Sequence, residues 1–330
     1  MKISFIVIAR NESWKISKCF QSIYKAIKFN YLKDFEIIYV DSQSTDDTID
    51  RVKCFANVKI FSITGVFNAA IARNIGAIES SGDLLFFIDG DMEIEPTFLS
   101  QALDINGDLK HDCIAGHLDN YMFDDNGKFI GQGPASYSKS LPKHPIELTT
   151  NGGAFLILKS TWKHINGMRT KYRRSQDYDF TIRLNQKGYK TVRLPYYIAK
   201  HNTHNFRSNR ILWKNLISGK DFYPPLLFRD HILHFKLITP LLRNNYSAFI
   251  FLVFISYSLI SQDINLFLLS VYLIILILRI SINTIKSSST NKIIYFFQRY
   301  ILQILRDILF WIGFFAFYPK EKKISYLCLR

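Results

Sequence analysis

Two carboxylates one residue apart, at the end of an apolar run, set the chemistry open to this chain. Leu84-Leu85-Phe86-Phe87-Ile88 has the length of a strand, and Asp89-Gly90-Asp91 ends it. Side chains alternate along a strand, so residues i and i+2 point the same way. Asp89 and Asp91 can therefore converge on one point at a strand's carboxyl end, the edge where open α/β sheets bind ligands. Oxygen donors of this kind suit Mg²⁺ or Mn²⁺, ions that bridge diphosphates. Taken alone, two aspartates after a strand more often only form a turn, so the neighbouring motifs decide.

Those neighbours are Ile8-Ala9-Arg10-Asn11-Glu12, the acidic run Asp41 to Thr48, Asn68 to Gly76 with Arg73-Asn74 inside it, and Gln176-Asp177-Tyr178-Asp179 followed by Arg183. A carboxylate such as Asp177, if within hydrogen-bond reach, can deprotonate a hydroxyl. Other uses of the same residues are plain. Ser44 and Asp47 can cap a helix, Asp46 can cap or lie on the surface, and Asp177 can complement a helix N-terminus.

The elements that must position these groups follow from periodicity. Residues 3–8, 36–40, 58–62 and 84–88 read as strands. Residues 13–28 carry Ile16, Cys19, Phe20, Ile23 and Ile27 at helical spacing. Further helices are expected from a capping box at 44–47 to about residue 55, and over 68–79. Strands alternating with helices mean a parallel sheet with right-handed crossovers, which places the first four clusters along one sheet edge. Beyond it, short helices are expected at 96–103 and 177–187 and strands at 113–117, 154–158, 191–194 and 197–200. Residues 119–150, rich in Asp, Asn, Gly, Ser and Pro, read as a mobile loop over the site.

Composition bounds the remainder. With 330 residues, 48% of them hydrophobic, the chain can hold one core of roughly 200–250 residues and more besides. The net charge of +15 is not gathered into an arm or stripe, which argues against a nucleic-acid binder. Basic residues do cluster near apolar segments at the C-terminal side, as beside an anionic membrane. Cys19, Cys54, Cys113 and Cys328 are far apart and read as free thiols in a reducing compartment, and the first residues lack a signal peptide's apolar run. Residues 247–260 and 266–280 each approach, with their flanks, the roughly 20 residues that span a bilayer. Lys236 and Arg243 before them and Arg279, Lys286 and Lys292 at or after their end predict a hairpin with both ends cytoplasmic. A buried hairpin of a soluble domain is the alternative. Residues 293–317, with Arg299, Gln303 and Arg306 on one face, predict an interfacial or re-entrant amphipathic helix.

Five motifs in this order resemble the family 2 glycosyltransferases, inverting enzymes of the GT-A fold, over roughly residues 1–210. The resemblance implies an α/β GT-A domain at 1–235, made of a nucleotide-binding half (1–92), an acceptor half (93–210) and a juxtamembrane stretch (211–235). A membrane region at 236–330 follows, with the hairpin at about 246–281 and the amphipathic helix at about 293–318. It also implies roles. Ala9, Asn11, Glu12, Asp41, Arg73, Asn74, Asp89 and Gly90 would bind the nucleotide sugar, with Asp41 at the nucleobase. Asp89 and Asp91 would hold Mn²⁺ or Mg²⁺, joined by a histidine for which His201 is preferred to His204. Gly152, Gly153 and Gln176 would line the acceptor side, and Asp177 would be the catalytic base. Ala9 stands where the family often has Pro, and Gln176 where it often has Glu.

The expected activity is inverting transfer from a nucleotide-diphosphate sugar, UDP-linked by preference, to a hydroxyl of a lipid-linked glycan. The setting would be the cytoplasmic face of the cell's inner membrane, in surface-polysaccharide synthesis. Transfer onto polyprenyl phosphate needs no general base, so the intact Asp177 motif disfavours it. A processive synthase would carry Gln-x-x-Arg-Trp after the base, and none is present. A membrane-tethered nucleotide-binding scaffold would have lost Asp89, Asp91 or Asp177. Choice of sugar, nucleotide and linkage lies in loop details and not in motifs.

Overall fold

Seven consecutive buried residues, Ile3–Ala9, form strand β1 at the heart of a sheet covered on both faces. The computed structural model describes the chain apart from residues 125–126, 136–139, 149, 205–208, 286 and 288–290. In chain order, helix α1 (Ser13–Phe29), β2 (Phe35–Asp41), α2 (Thr48–Lys53), β3 (Val58–Ile63), α3 (Ala69–Glu79) and β4 (Leu84–Asp89) follow. The side-chain alternation of the strands sorts the core into two layers. Phe5, Val7, Ile37, Tyr39, Phe86 and Ile88 pack with Ile16, Phe20 and Ile23 of α1. Ile6, Ile8, Ile38, Val40, Leu85 and Phe87 pack with Ile71 and Ile75 of α3 on the other face.

Next come β5 (Met92–Ile94), α4 (Phe98–Ala102), β6 (Cys113–Phe123), β7 (Phe129–Pro134), β8 (Ile146–Glu147), β9 (Ala154–Leu158), α5 (Lys159–His164), α6 (Gln176–Gln186) and β10 (Thr191–His204). The sheet runs β3-β2-β1-β4-β9-β6-β10-β5. The first four strands are parallel, β9 is antiparallel to β4 and β6, β10 is parallel to β6, and β5 closes the far side antiparallel. This is the mixed α/β sheet of GT-A type that the sequence predicts. Register puts Ala9 beside Asp41 and Ile8 beside Asp89, so three strands end together at one edge.

Three expectations are corrected. The stretch 119–150 is not all loop, because β6 continues to Phe123 and turns into a hairpin with β7, held where Asp124 Oδ1 accepts from Lys128 N at 2.8 Å. The strands expected at 191–194 and 197–200 are one strand, β10, and its register shifts around Pro195, which has no N–H to give a ladder. Helix α2 is shorter than a capping box at 44–47 predicts. Asp47 is its N-cap residue and makes no side-chain capping bond, Asp46 accepts from Thr48 N at 3.1 Å, and Ser44 Oγ accepts from Asn11 N.

The chain separates into two compact units, Met1–Asn205 with Lys320–Arg330, and Phe206–Pro319. Residues 320–330 therefore belong with the sheet. Strand β11 (Tyr326–Cys328) adds antiparallel to the edge of β3, and Arg330 reaches the carbonyls of Val58, Lys53 and Phe55. The second unit is helical: α7 (Asn209–Ile217), α8 (Tyr223–Asp230), α9 (Phe235–Asn244), α10 (Tyr246–Ser261), α11 (Leu266–Ile285) and α12 (Lys292–Ala316). Among the described residues α11 is the one helix long and apolar enough to cross a membrane, and α10 is apolar but shorter. The face of α12 expected to meet the interface is partly engaged inside the unit. Gln303 donates to Asp307 at 2.8 Å and Arg306 pairs with Asp221 at 3.4 Å. Asp307 also accepts from Ser247 of α10 and Tyr272 of α11, so one buried carboxylate joins three helices.

Glu36 secures the opposite end of the sheet from the acidic edge. Its Oε1 accepts from Ser4 Oγ at 2.6 Å, Gly82 N at 3.1 Å and Ser81, and Oε2 pairs with Lys59 at 2.8 Å. Burial opposes the charge, but Lys59, Ser4 and Ser81 outweigh it and hold the pKa at about 2, below its ordinary 4.5. A depressed carboxylate stabilises above its unfolded pKa and loses that contribution as pH falls through the folded one. Denaturant melts of the wild type and Glu36→Gln at neutral pH and near pH 2.5 should therefore converge on acidification. The wild type's advantage at neutral pH should be up to about 3 kcal/mol.

Candidate active site

The carboxyl ends of β1, β2 and β4 carry the site, and close backbone approach shapes it. The N–H of Gly90 bonds Ile8 O at 2.9 Å, and a Cβ at residue 90 would stand 2.6 Å from that of Ala9. Asp89 N donates to Gly153 O at 3.1 Å, and a Cβ at Gly153 would overlap the Asp89 carboxylate. Glycine at both positions lets β4 and β9 close around the acid pair.

Asp89 Oδ1 takes Arg73 Nη2 at 2.6 Å. Burial pushes its pKa up to about 6, Arg73 opposes the rise, and the charges of Asp91 and Asp177 add to it. Asp177 is thus within electrostatic reach of Asp89. Asp91 Oδ2 lies 3.1 Å from His201 Nε2, whose Nδ1 lies 2.8 Å from Asn120 Oδ1. Burial works against both charges, but each favours the other, so the Asp91 pKa falls and that of His201 rises. Lys15, on the first turn of α1, comes 2.5 Å from Glu12 Oε2 and 3.8 Å from Asp91 Oδ2. Burial and the Asp91 charge push Glu12 up to about 7 despite Lys15.

The loops after β1 and β2 brace each other. Asn11 N donates to Ser44 Oγ at 3.0 Å, Thr45 N to Asn11 Oδ1 at 2.8 Å, and Glu12 N to Thr48 Oγ1 at 2.9 Å. Asp41 is fully buried, with Tyr39 OH on one oxygen at 2.9 Å and Ser44 N on the other at 2.8 Å. A cleft of about 290 Å³ opens between them, lined by Ala9, Arg10, Glu12, Ser42, Phe67, Asn68, Asp89, Gly90 and Asp91. Arg10 lies over the Phe67 ring at 4.1 Å. Asn74 does not line it. Its amide pairs with both backbone groups of Met168, at 2.8 and 2.9 Å, beside a separate cavity of about 550 Å³.

Asp177, at the start of α6, accepts from Thr150 Oγ1 at 2.5 Å. Gln176 beside it has a buried Oε1 without a partner, and Gly152 is left-handed at φ 69°. Asp179 is structural, held by Arg183 at 2.9 Å and Arg169 at 3.3 Å. Lys15, Thr150 and Asn120 escape the sequence reading. Only Lys15 leaves a trace, as a cation three residues after Glu12 on the first turn of a helix. Asp91, Asp89 and His201 are the groups that could hold a divalent ion. Among the described residues no three His, Cys, Asp or Glu side chains cluster tightly enough to bind one unaided.

An α/β sheet with paired acids at a shared strand edge defines a ligand-binding domain of the GT-A type. Known proteins share part of this chain. Residues 4–151 match the family model of Glycosyl transferase family 2. The SPbeta prophage-derived glycosyltransferase SunS of Bacillus subtilis (strain 168) is 31% identical over 156 residues, 41% of this chain and 35% of SunS. Glycosyltransferase AglE of Haloferax volcanii is 27% identical over 122 residues, 36% of this chain and 39% of AglE. The crystal structure of S. aureus TarS (1–349) in complex with UDP-GlcNAc superposes with a TM-score of 0.48 at 17% identity, covering 71% of this chain and 73% of that one. The chain spans between 30% and 39% of the length of the curated relatives it matches. The match to the family 2 glycosyltransferases lies in residues 4–151, and the glycosyltransferase relatives match over a similar share of the chain.

The Thr150 bond fixes the direction of the Asp177 carboxylate. Replacing Thr150 by Val, which keeps the volume and removes the hydroxyl, should lower kcat for donor turnover about tenfold with little change in KM. Thr150→Ser should retain most of the rate, and steady-state kinetics of the two variants checks both.

Proposed function

We propose that the protein is an inverting glycosyltransferase that moves a sugar from a nucleotide-diphosphate sugar to a hydroxyl of a lipid-linked glycan. The observation that carries this reading is the pair Asp89 and Asp91 on one cleft at the carboxyl end of β4, with Arg73 on Asp89 at 2.6 Å and His201 on Asp91 at 3.1 Å. The family domain, and the glycosyltransferase names of the relatives, support the same class.

The residues divide the work as inversion requires. Asp177, oriented by Thr150, would accept the proton of the acceptor hydroxyl as its oxygen attacks the anomeric carbon. The bond from that carbon to the diphosphate breaks on the opposite face, and the leaving oxygen keeps the electron pair. Asp89, held by Arg73, and Asp91, held by His201, would receive the ribose and diphosphate end. One or two of Asp91, His201 and Asp89, together with the diphosphate oxygens, would hold a Mg²⁺ or Mn²⁺ ion, which would supply Lewis-acid neutralisation of the diphosphate. Asp41 would shape the nucleobase end through its hold on Ser44, and Gly152, Gly153 and Gln176 would border the acceptor. UDP is the favoured nucleotide on the family resemblance.

The acceptor is read from the second unit. Helix α11 has the length and composition of a membrane span, α10 is apolar beside it in sequence, and basic residues flank the pair. These features support a membrane-held enzyme with a lipid-linked glycan acceptor, in cell-surface polysaccharide synthesis at the cytoplasmic face of the inner membrane.

Hydrolysis and transfer assays on detergent-solubilised protein, with a panel of nucleotide sugars, Mn²⁺ or EDTA, and membrane lipid extract as acceptor, test this. One donor should be turned over, more slowly by about 10²–10⁴-fold in Asp177→Asn although that variant still binds it. Asp91→Ala should lose donor affinity as well as rate. No turnover with lipid extract and no nucleotide binding by calorimetry would leave the tethered scaffold as the function.

A further inference from the structure

The donor cleft is walled by Glu12, Asp89 and Asp91, three carboxylates facing a place where a diphosphate is to bind. Negative walls repel a negative ligand, and the effect is strong where water is thin. Each acid has its own cation: Arg73 on Asp89 at 2.6 Å, His201 on Asp91 at 3.1 Å and Lys15 on Glu12 at 2.5 Å. Lys15 is the unusual member. Its side chain is only 3% exposed, it reaches towards Asp91 as well, at 3.8 Å, and its ammonium lies 5.0 Å from the centre of the Trp14 ring. An ammonium so far out of water is held there by its acidic partners. The reaction itself assigns it no task.

We propose that Lys15 is a positioning residue for the donor: a resident cation that neutralises Glu12 and Asp91, so that the cleft takes up a nucleotide diphosphate without a divalent ion. This rests on the donor-site reading above. With Lys15 present each of the three acids has a basic side chain against it. Without Lys15 one carboxylate stands uncompensated. The same charge acts in the opposite sense on a metal, because Lys15 and a divalent ion compete for Asp91. Lys15 therefore strengthens metal-free nucleotide binding and weakens nucleotide-free metal binding. Loss of packing alone would not move the two in opposite directions.

Calorimetry of UDP binding in EDTA, and Mn²⁺ binding without nucleotide followed by electron paramagnetic resonance, test this on the full solubilised chain. In Lys15→Met the UDP affinity in EDTA should fall by about tenfold or more while the Mn²⁺ affinity rises. Lys15→Arg should keep wild-type UDP affinity in EDTA. A second uncharged variant, Lys15→Gln, should move the two affinities in the same opposite directions, and thermal melts of each variant guard against misfolding. The proposal is overturned if Lys15→Met binds UDP in EDTA as the wild type does, if both affinities fall together, or if the wild type binds UDP only with Mn²⁺. In each of those cases wild-type UDP binding leaves the donor-site reading standing. A wild type that binds UDP under no condition overturns that reading and this proposal with it.

Discussion

Charge withdrawn from water must be answered by charge or hydrogen bonds close at hand, and the first unit is organised around that demand. Parallel strands deliver acids to one edge, because each ends where its neighbour ends. The cations that answer them come from separate layers: Arg73 from the helix on one face, Lys15 from the helix on the other, and His201 from a strand over a hundred positions later in the sequence. The acidic edge is therefore balanced only when both helical layers and the far half of the sheet are in place. Folding and site assembly are one event here, since a half-built site would bury unpaired carboxylates.

Backbone proximity is the second demand. Gly90 and Gly153 let two strands and a turn meet with no side chain between them, so that carboxylates project where a Cβ would otherwise sit. The mutual bracing of the loops after β1 and β2, through Asn11, Ser44, Thr45 and Thr48, then fixes the rim of the cleft without secondary structure.

Much of this is legible in the sequence because the alternation of strand and helix is strong and the acids sit at strand ends. Asp89 and Asp91 end one strand, and Arg73 and His201 meet them there, Arg73 on Asp89 and His201 on Asp91. What escapes has a physical pattern. Thr150 and Asn120 act through single hydrogen bonds across long sequence separations, and a lone hydroxyl or amide leaves no periodic signal. The β6–β7 hairpin is hidden because its outer half is polar and glycine-rich, so pairing rather than hydrophobicity makes it a strand. Asp41 reads as a ligand-facing acid but is wholly enclosed by Tyr39 and Ser44, because a turn's own backbone N–H competes for the same carboxylate. Asn74 is similar: its neighbour Arg73 turns to the cleft, while its own amide holds the backbone at Met168.

The edge strand β11 has a consequence for synthesis. A ribosome finishes β3 long before residues 326–328, with the apolar helices of residues 206–319 made in between, an interval on the order of tens of seconds. Throughout it the outer edge of β3 is an open template for any stray strand. Lys59, exposed in the middle of β3, is the kind of charge that discourages such pairing. The sheet that carries the acidic cleft is sealed only after the apolar half has emerged, so the maturation of the two units is linked in time.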